Sequence, residues 1–350
     1  MIRNKIDADT HVDETEATWE YLTAAERRFK PIPIDPGEPP LPGDSRPHRF
    51  WLVDGRLGMR RWRSDERTGT TREKRELHDV TARVAQMDAL GIEVQVLYPT
   101  FLLVMPTTKP DWQAAICRSY NRWLADRTAE SKGRLRWVVM PPVDSMGDAL
   151  EELRFGKEHG AVGVFKRAIE AGGKTVDDPY FYPLYEEAQR LDLPVCIHAG
   201  GGVGDQFARP EIACFSHLAI KGVPQRFPTL RFGVIEAMAS WVPYIIADLK
   251  AKGQYSGSFK VYSDRPMSIQ GDFLRENRLY VTAQTNDDVP YLLTFGAEDS
   301  LMIGTDYGHE DQSAVLGALG TIEELGARGD IGPEAVRKIL IDNPRRFYDL

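Results

Sequence analysis

The residues that could do chemistry begin near the start of the chain. In KIDADTHVD, Asp9 and His11 are separated by one residue, and on a β-strand side chains at i and i+2 point to the same face. A carboxylate and an imidazole at the end of one strand can reach one positive charge. Further along, His198 closes the apolar run PVCIH and Asp306 closes SLMIGTD. Imidazole nitrogen and carboxylate oxygen suit zinc, iron or manganese, with positions left open for water or substrate. Such an ion lowers the pKa of its bound water and polarises a carbonyl. Taken singly, each residue has a plainer reading, as a hydrogen-bonded strand-end histidine or an aspartate capping the next helix. Their joint appearance points to a metal.

For these side chains to meet, distant strand ends must converge. The first strand runs from about Lys5 to Thr10. Residues 20–77 then form an insertion covering one end of the molecule like a lid. It holds PIPIDPGEPPLPGDSRP and a strongly basic segment, and FWLVDGRLGMRRW within it has a hairpin pattern turning at Asp54-Gly55. From Asp79 the pattern is regular. DVTARVAQMDALG puts Val80, Val84, Met87 and Leu90 on one helical face and stops at Gly91. The apolar runs IEVQVLYP, LRWVVMPP, AVGVFKR, PVCIHAG, LRFGVIEA, LYVTAQ and SLMIGTD alternate with helical segments, one starting at a Ser145 cap, and the remainder is expected to be helical. Near-continuous apolar strands separated by helices imply a parallel sheet covered on both faces. Eight of them predict an α/β fold, a (β/α)8 TIM barrel, as a single domain over residues 1–350 with the active site at the strand C-termini. Those ends carry Asp9 and His11, Pro99, Pro141, Lys166, His198, Glu236, Gln284 and Asp306.

IDADTHV, PVCIHAGGG, RFPTLRFGVIEAMASWVP, LMIGTDYGHED and IDNPRRFYDL together resemble the amidohydrolase superfamily. More narrowly, they are similar to its branch containing aminocarboxymuconate semialdehyde decarboxylase and the resorcylate and carboxyvanillate decarboxylases. The resemblance covers nearly the whole chain in order. It implies a distorted barrel with a divalent metal at the strand C-termini. It also implies that Asp9 and His11 are the strand-one ligand pair, His198 the strand-five histidine, and Asp306 a ligand that also acts as general base. His309 matches a histidine that often follows that aspartate, as a substrate contact or a loop residue. Decarboxylases of this branch carry a histidine at the end of strand six, where this chain has Glu236. Glu236 is then a further metal ligand, a proton shuttle or a partner of His198. Lys166 stands where some members hold a carboxylated lysine bridging two metals; otherwise it points outward or binds a substrate carboxylate. Metal binding by both Lys166 and Glu236 would mean two ions and hydrolytic chemistry.

His217, in CFSHLAIKG, is either near the barrel mouth or on a helix surface. The cluster Arg56, Arg60, Arg61 and Arg63, interleaved with Trp51 and Trp62, is either a solvated hairpin face or the source of an arginine, Arg61, for an anionic substrate. GGGVGD after His198 lacks a phosphate-loop ending and suits a flexible active-site loop. A formal charge of -8 argues against nucleic acid, and no apolar run approaches the roughly 18 residues of a membrane span. Three scattered cysteines fit reduced thiols in a cytoplasmic enzyme. The resulting expectation is a metal-dependent hydrolase acting on an ester, thioester, lactone or amide of a small to medium organic acid. In it, one or two ions held by Asp9, His11, His198, Asp306 and Glu236 activate water. The alternative is non-oxidative decarboxylation of an aromatic or unsaturated carboxylic acid. A barrel that binds a ligand without catalysis is a third possibility. A small, anionic substrate and a possible homodimer complete the expectations.

Overall fold

The computed structural model describes residues 3–35, 49–60, 63–200, 209–255, 263 and 271–350. In chain order its strands are β1 (Lys5–His11), β2 (Ile32–Ile34), β3 (Arg49–Val53), β4 (Arg56–Arg60), β5 (Ile92–Tyr98), β6 (Leu135–Val139), β7 (Ala161–Lys166), β8 (Val195–His198), β9 (Phe232–Ile235), β10 (Leu279–Ala283) and β11 (Leu301–Ile303). Eight of them pair in parallel in the order β1-β5-β6-β7-β8-β9-β10-β11. All eight are almost wholly buried, as a sheet covered on both faces requires, and all but the polar β1 (KIDADTH) are predominantly apolar. The ends of the sheet meet: His11 N donates to Tyr307 O at 2.9 Å and Asp306 N to Asp9 O at 3.0 Å. Gly304 makes this seam possible, because a Cβ there would lie 2.4 Å from the Asp9 Cβ. Helices between the strands complete a (β/α)8 barrel.

The helix Val80–Leu90 starts under an Asp79 cap, whose Oδ1 accepts from Ala82 N at 2.7 Å, and ends at Gly91 with φ 70°. The helix Met146–Glu158 follows Ser145, but the Ser145 hydroxyl bonds the Asp148 carboxylate at 2.5 Å instead of capping a backbone N–H. After β11 the chain is not immediately helical: an irregular segment runs to Gly317 before the helix Ala318–Arg328. The helix Asn343–Tyr348 returns to β1, where the Tyr348 hydroxyl donates to Ala8 O at 2.7 Å. No helix among the described residues is long and apolar enough to cross a membrane.

Between β1 and β5, the strands β2, β3 and β4 form an antiparallel sheet over the barrel mouth. Asp54 (φ 51°) and Gly55 (φ 75°) supply the two left-handed positions of the β3–β4 turn. Trp51 of β3 is buried with its ring 5.9 Å from Trp19 and 6.0 Å from Phe101. The turn is fixed to the barrel by Asp54, which accepts from Thr107 Oγ1 at 3.0 Å and pairs with Lys109.

Candidate active site

The strand ends deliver two histidines with their tautomers set. His11 Nδ1 lies 2.7 Å from Pro99 O, and His198 Nδ1 lies 2.7 Å from Ala199 O. A carbonyl can only accept, so each ring donates from Nδ1 and presents Nε2 as a lone-pair donor. Both Nε2 atoms face Asp9 Oδ1, at 3.5 Å for His11 and 3.3 Å for His198. Asp306 adds its Oδ1 at 3.3 Å from His11 Nε2. His309 stacks on His11 with centroids 3.8 Å apart and places Nδ1 2.8 Å from Asp306 Oδ1. Its Nε2 lies 3.1 Å from Thr100 Oγ1.

Glu236, beyond β9, completes the floor. Its Oε2 is 3.6 Å from His198 Nδ1 and its Oε1 accepts from Ser313 Oγ at 2.9 Å. The same hydroxyl lies 3.1 Å from Asp306 Oδ2 and contacts Asp311. Glu236 and Asp306 both adopt left-handed backbone, φ 58° and 49°. A non-glycine residue held there costs on the order of 1–3 kcal/mol, and such strain clusters where function fixes the geometry. Ser313 and Asp311 were not legible in the sequence, because they lie in the irregular segment where a helix is expected.

Burial dominates the charge balance. Desolvation would raise Asp9, but His198 beside it holds it well below the ordinary carboxylate range. Burial likewise opposes protonation of His198, yet Asp9 outweighs it and lifts His198 to about 9. Burial, reinforced by neighbouring carboxylates, pushes Glu236 up to about 8 and Asp306 well above its usual value. A positive ion inverts such preferences. The residues fit one. His11 Nε2, Glu236 Oε2 and Asp306 Oδ1 are buried without a hydrogen-bond partner. Possible ligand atoms of Asp9, His11, His198 and Glu236 all lie within 4.8 Å of one another, as do those of His11, Glu236, Asp306 and His309. Orphaned buried nitrogen and oxygen donors at this spacing can hold a divalent transition metal.

The floor opens into a cavity of about 420 Å³, walled by Phe101, Leu103, Val104, Met105 and Pro106 and roofed by Arg56 to Met59 of β4. Two expected contacts are absent from it among the described residues. Lys166 is fully buried, and its Nζ donates to Glu170 Oε1 at 2.7 Å and Arg167 O at 2.9 Å. With its Nζ committed to these two oxygens, it neither points outward nor lines the cavity. Glu170, four residues on, draws it into an ion pair. His217 sits half-exposed, paired with Asp177 at 3.2 Å, and is not at the barrel mouth. Arg61 and the GGGVGD segment beyond Gly200 lie outside the described residues. Asp7 is drawn from the floor into packing, accepting from Thr305 N at 2.8 Å, Thr305 Oγ1 at 2.7 Å and Gln95 Nε2 at 3.2 Å.

A family model described as amidohydrolase matches residues 6–350. A 2-amino-3-carboxymuconate-6-semialdehyde decarboxylase from Dictyostelium discoideum is 23% identical over 246 residues, covering 65% of this chain and 66% of that one, just under two thirds of its length. A gamma-resorcylate decarboxylase from Rhodococcus jostii is 24% identical over 264 residues, covering 67% of this chain and 78% of that one. The fold is shared with a dihydroxybenzoic acid decarboxylase from Polaromonas sp. JS666, solved with bound manganese and 2-nitroresorcinol. The TM-score is 0.71 at 18% identity, covering 100% of this chain and 98% of that one. These relatives correct the expectation of an acyl hydrolase. The two-ion hydrolytic site also loses its bridging lysine, because Lys166 is committed to Glu170.

Proposed function

The chain belongs to the amidohydrolase family, and from that premise we propose that it is a metal-dependent, non-oxidative decarboxylase of an aromatic or unsaturated carboxylic acid. The similarity to two curated decarboxylases, each over about two thirds of this chain, carries the reading. The buried acids on the cavity floor support it.

Asp9, His11, His198 and Asp306 would hold the ion, with Glu236 as a further ligand or as a proton carrier. A divalent cation there supplies the charge that holds the substrate carboxylate and offsets the buried acids. The rest falls to the protein. Release of carbon dioxide breaks the bond between carboxylate and carbon, and the carbon keeps a proton in its place. The donor must be an acid beside that carbon, and Asp306 and Glu236 are the buried carboxyls the floor offers for it. Ser313 Oγ joins both carboxyls to Asp311, so a transferred proton can be replaced from the cavity side. His309, with Nδ1 2.8 Å from Asp306 Oδ1 and its ring stacked on His11, limits where that carboxyl can turn.

The test is carbon dioxide release by manganese-loaded and zinc-loaded protein from dihydroxybenzoates and a wider set of aromatic and unsaturated acids. The expected result is stoichiometric release with the decarboxylated product. Absence of release from every acid, with the metal shown to be bound, would sink the reading.

A further inference from the structure

One wall of the cavity is a single stretch of chain. Thr100, Phe101, Leu103, Val104, Met105 and Pro106 all line it, and after β5 this stretch makes only one short helical turn, Phe101–Leu103. Backbone outside regular structure must find its hydrogen-bond partners elsewhere. Here two buried side chains of opposite charge supply them. Glu14 takes the amides: its Oε2 accepts from Phe101 N at 2.8 Å and Thr100 N at 3.3 Å, and its Oε1 from Leu102 N at 3.2 Å. Arg167 takes the carbonyls: its Nε donates to Leu103 O at 2.8 Å and its Nη2 to Leu102 O.

The two clamps differ. Arg167 is itself held by Glu170. The hydrogen bonds of the Glu14 carboxylate, among the described residues, go to the three amides alone. Glu14 follows His11 by three residues, so it ties the strand that carries Asp9 and His11 directly to the wall. The same contact seats Thr100, whose Oγ1 lies 3.1 Å from His309 Nε2, and Phe101, whose ring lies 6.3 Å from Trp19 and 6.0 Å from Trp51. Successive N–H groups converging on one carboxylate form a concavity that suits an anion. Without it, buried donors are left without acceptors. A wall fixed in advance spares a ligand the cost of ordering it.

We propose that Glu14 is a positioning residue of the site: its carboxylate, clamped on the amides of residues 100–102, holds the cavity wall in its binding shape and keeps Thr100 on His309. The hold on the wall rests on the geometry alone; its effect on turnover rests on the decarboxylase reading.

The test uses the full chain loaded with manganese, as wild type, Glu14→Gln and Glu14→Ala. Hydrogen exchange is read by mass spectrometry on peptides covering residues 100–102, with a peptide from β10 as the reference for the whole fold. In Glu14→Ala the amides of 100–102 should exchange about 10-fold faster than in wild type, the size of one charged hydrogen bond, while β10 keeps its rate. Glu14→Gln keeps one acceptor oxygen and should fall between. Benzoate affinity by titration calorimetry should drop about 10-fold in Glu14→Ala and recover in part in Glu14→Gln. On an acid that wild type decarboxylates, the same factor should appear in KM, with a smaller fall in kcat. Unchanged exchange at 100–102 overturns the hold on the wall. A rise shared equally by β10 makes Glu14 a brace of the whole fold and overturns it too. Local loosening with benzoate affinity unchanged overturns its role in the site. Carbon dioxide release is scored separately: local loosening and weaker benzoate binding without release from any acid uphold the positioning role and count against the reaction.

Discussion

Two clusters of buried charge stand at the C-terminal ends of the barrel strands, and they are built to opposite rules. Beyond β7, Glu170 accepts from Lys166 Nζ at 2.7 Å and Arg167 Nη1 at 3.1 Å, while Arg167 Nε donates to Leu103 O at 2.8 Å and Lys166 lies over the Phe181 ring. Burial would raise Glu170, but the two cations hold it below its ordinary value. This cluster is closed. At the floor, by contrast, His11 Nε2, Glu236 Oε2 and Asp306 Oδ1 lack hydrogen-bond partners. Both clusters are buried, so burial alone does not separate structure from chemistry. Completeness does: a buried charge with every partner present braces the fold, whereas one left open needs a visitor.

The largest test of that contrast is Asp306→Asn. Loss of a general acid costs about 10²–10⁴-fold in rate, so carbon dioxide release should fall by that factor while the circular dichroism melt stays in place. A large drop in the melt would move Asp306 into the bracing class. Lys166→Met should do the opposite. It leaves Glu170 without its cation and should cost about 3–5 kcal/mol in urea unfolding, with metal content per chain unchanged by elemental analysis. Metal loss without destabilisation would return Lys166 to the site.

The smallest effect sharpens the rule with a third carboxyl. Glu211 is buried with neither oxygen hydrogen-bonded, and burial lifts it from 4.5 to about 7. Its folded value exceeds its unfolded one, so the fold retains a proton that the unfolded chain has released. Stability should therefore decline as pH rises from about 4.5 to about 7 and level off above. Glu211→Gln should lack that decline and exceed wild type by about 1–3 kcal/mol above the upper value. Denaturant midpoints on either side of the window decide it. Parallel curves would show that Glu211 is not held as an acid.

The barrel was legible because apolar runs, helical periods and stops such as Gly91 agree with one another. The Asp9–His11 pair was legible because alternation on a strand is a fixed geometry. Direction was not. A lysine at the end of β7 can point to the floor or fold back, and only Glu170, four residues on in KRAIE, tells which. Ser313 and Asp311 were hidden because an irregular segment has no period. The left-handed backbone at Glu236 and Asp306 had no local signal, since neither is glycine.

The seam between β1 and the end of β11 has a consequence for how the protein is made. Asp7 and Thr305, hydrogen-bonded across it, are 298 residues apart, and Tyr348 reaches Ala8 across 340. Contacts this distant carry a loop-closure cost before they give any return, and they set the pace of folding. During synthesis β1 can pair with β5 early, but its other edge, beside Asp9 and His11, waits for nearly the whole chain to emerge. The candidate ligands of β1 and Asp306 meet only as the ring shuts, so the full set of donors does not exist before the barrel does.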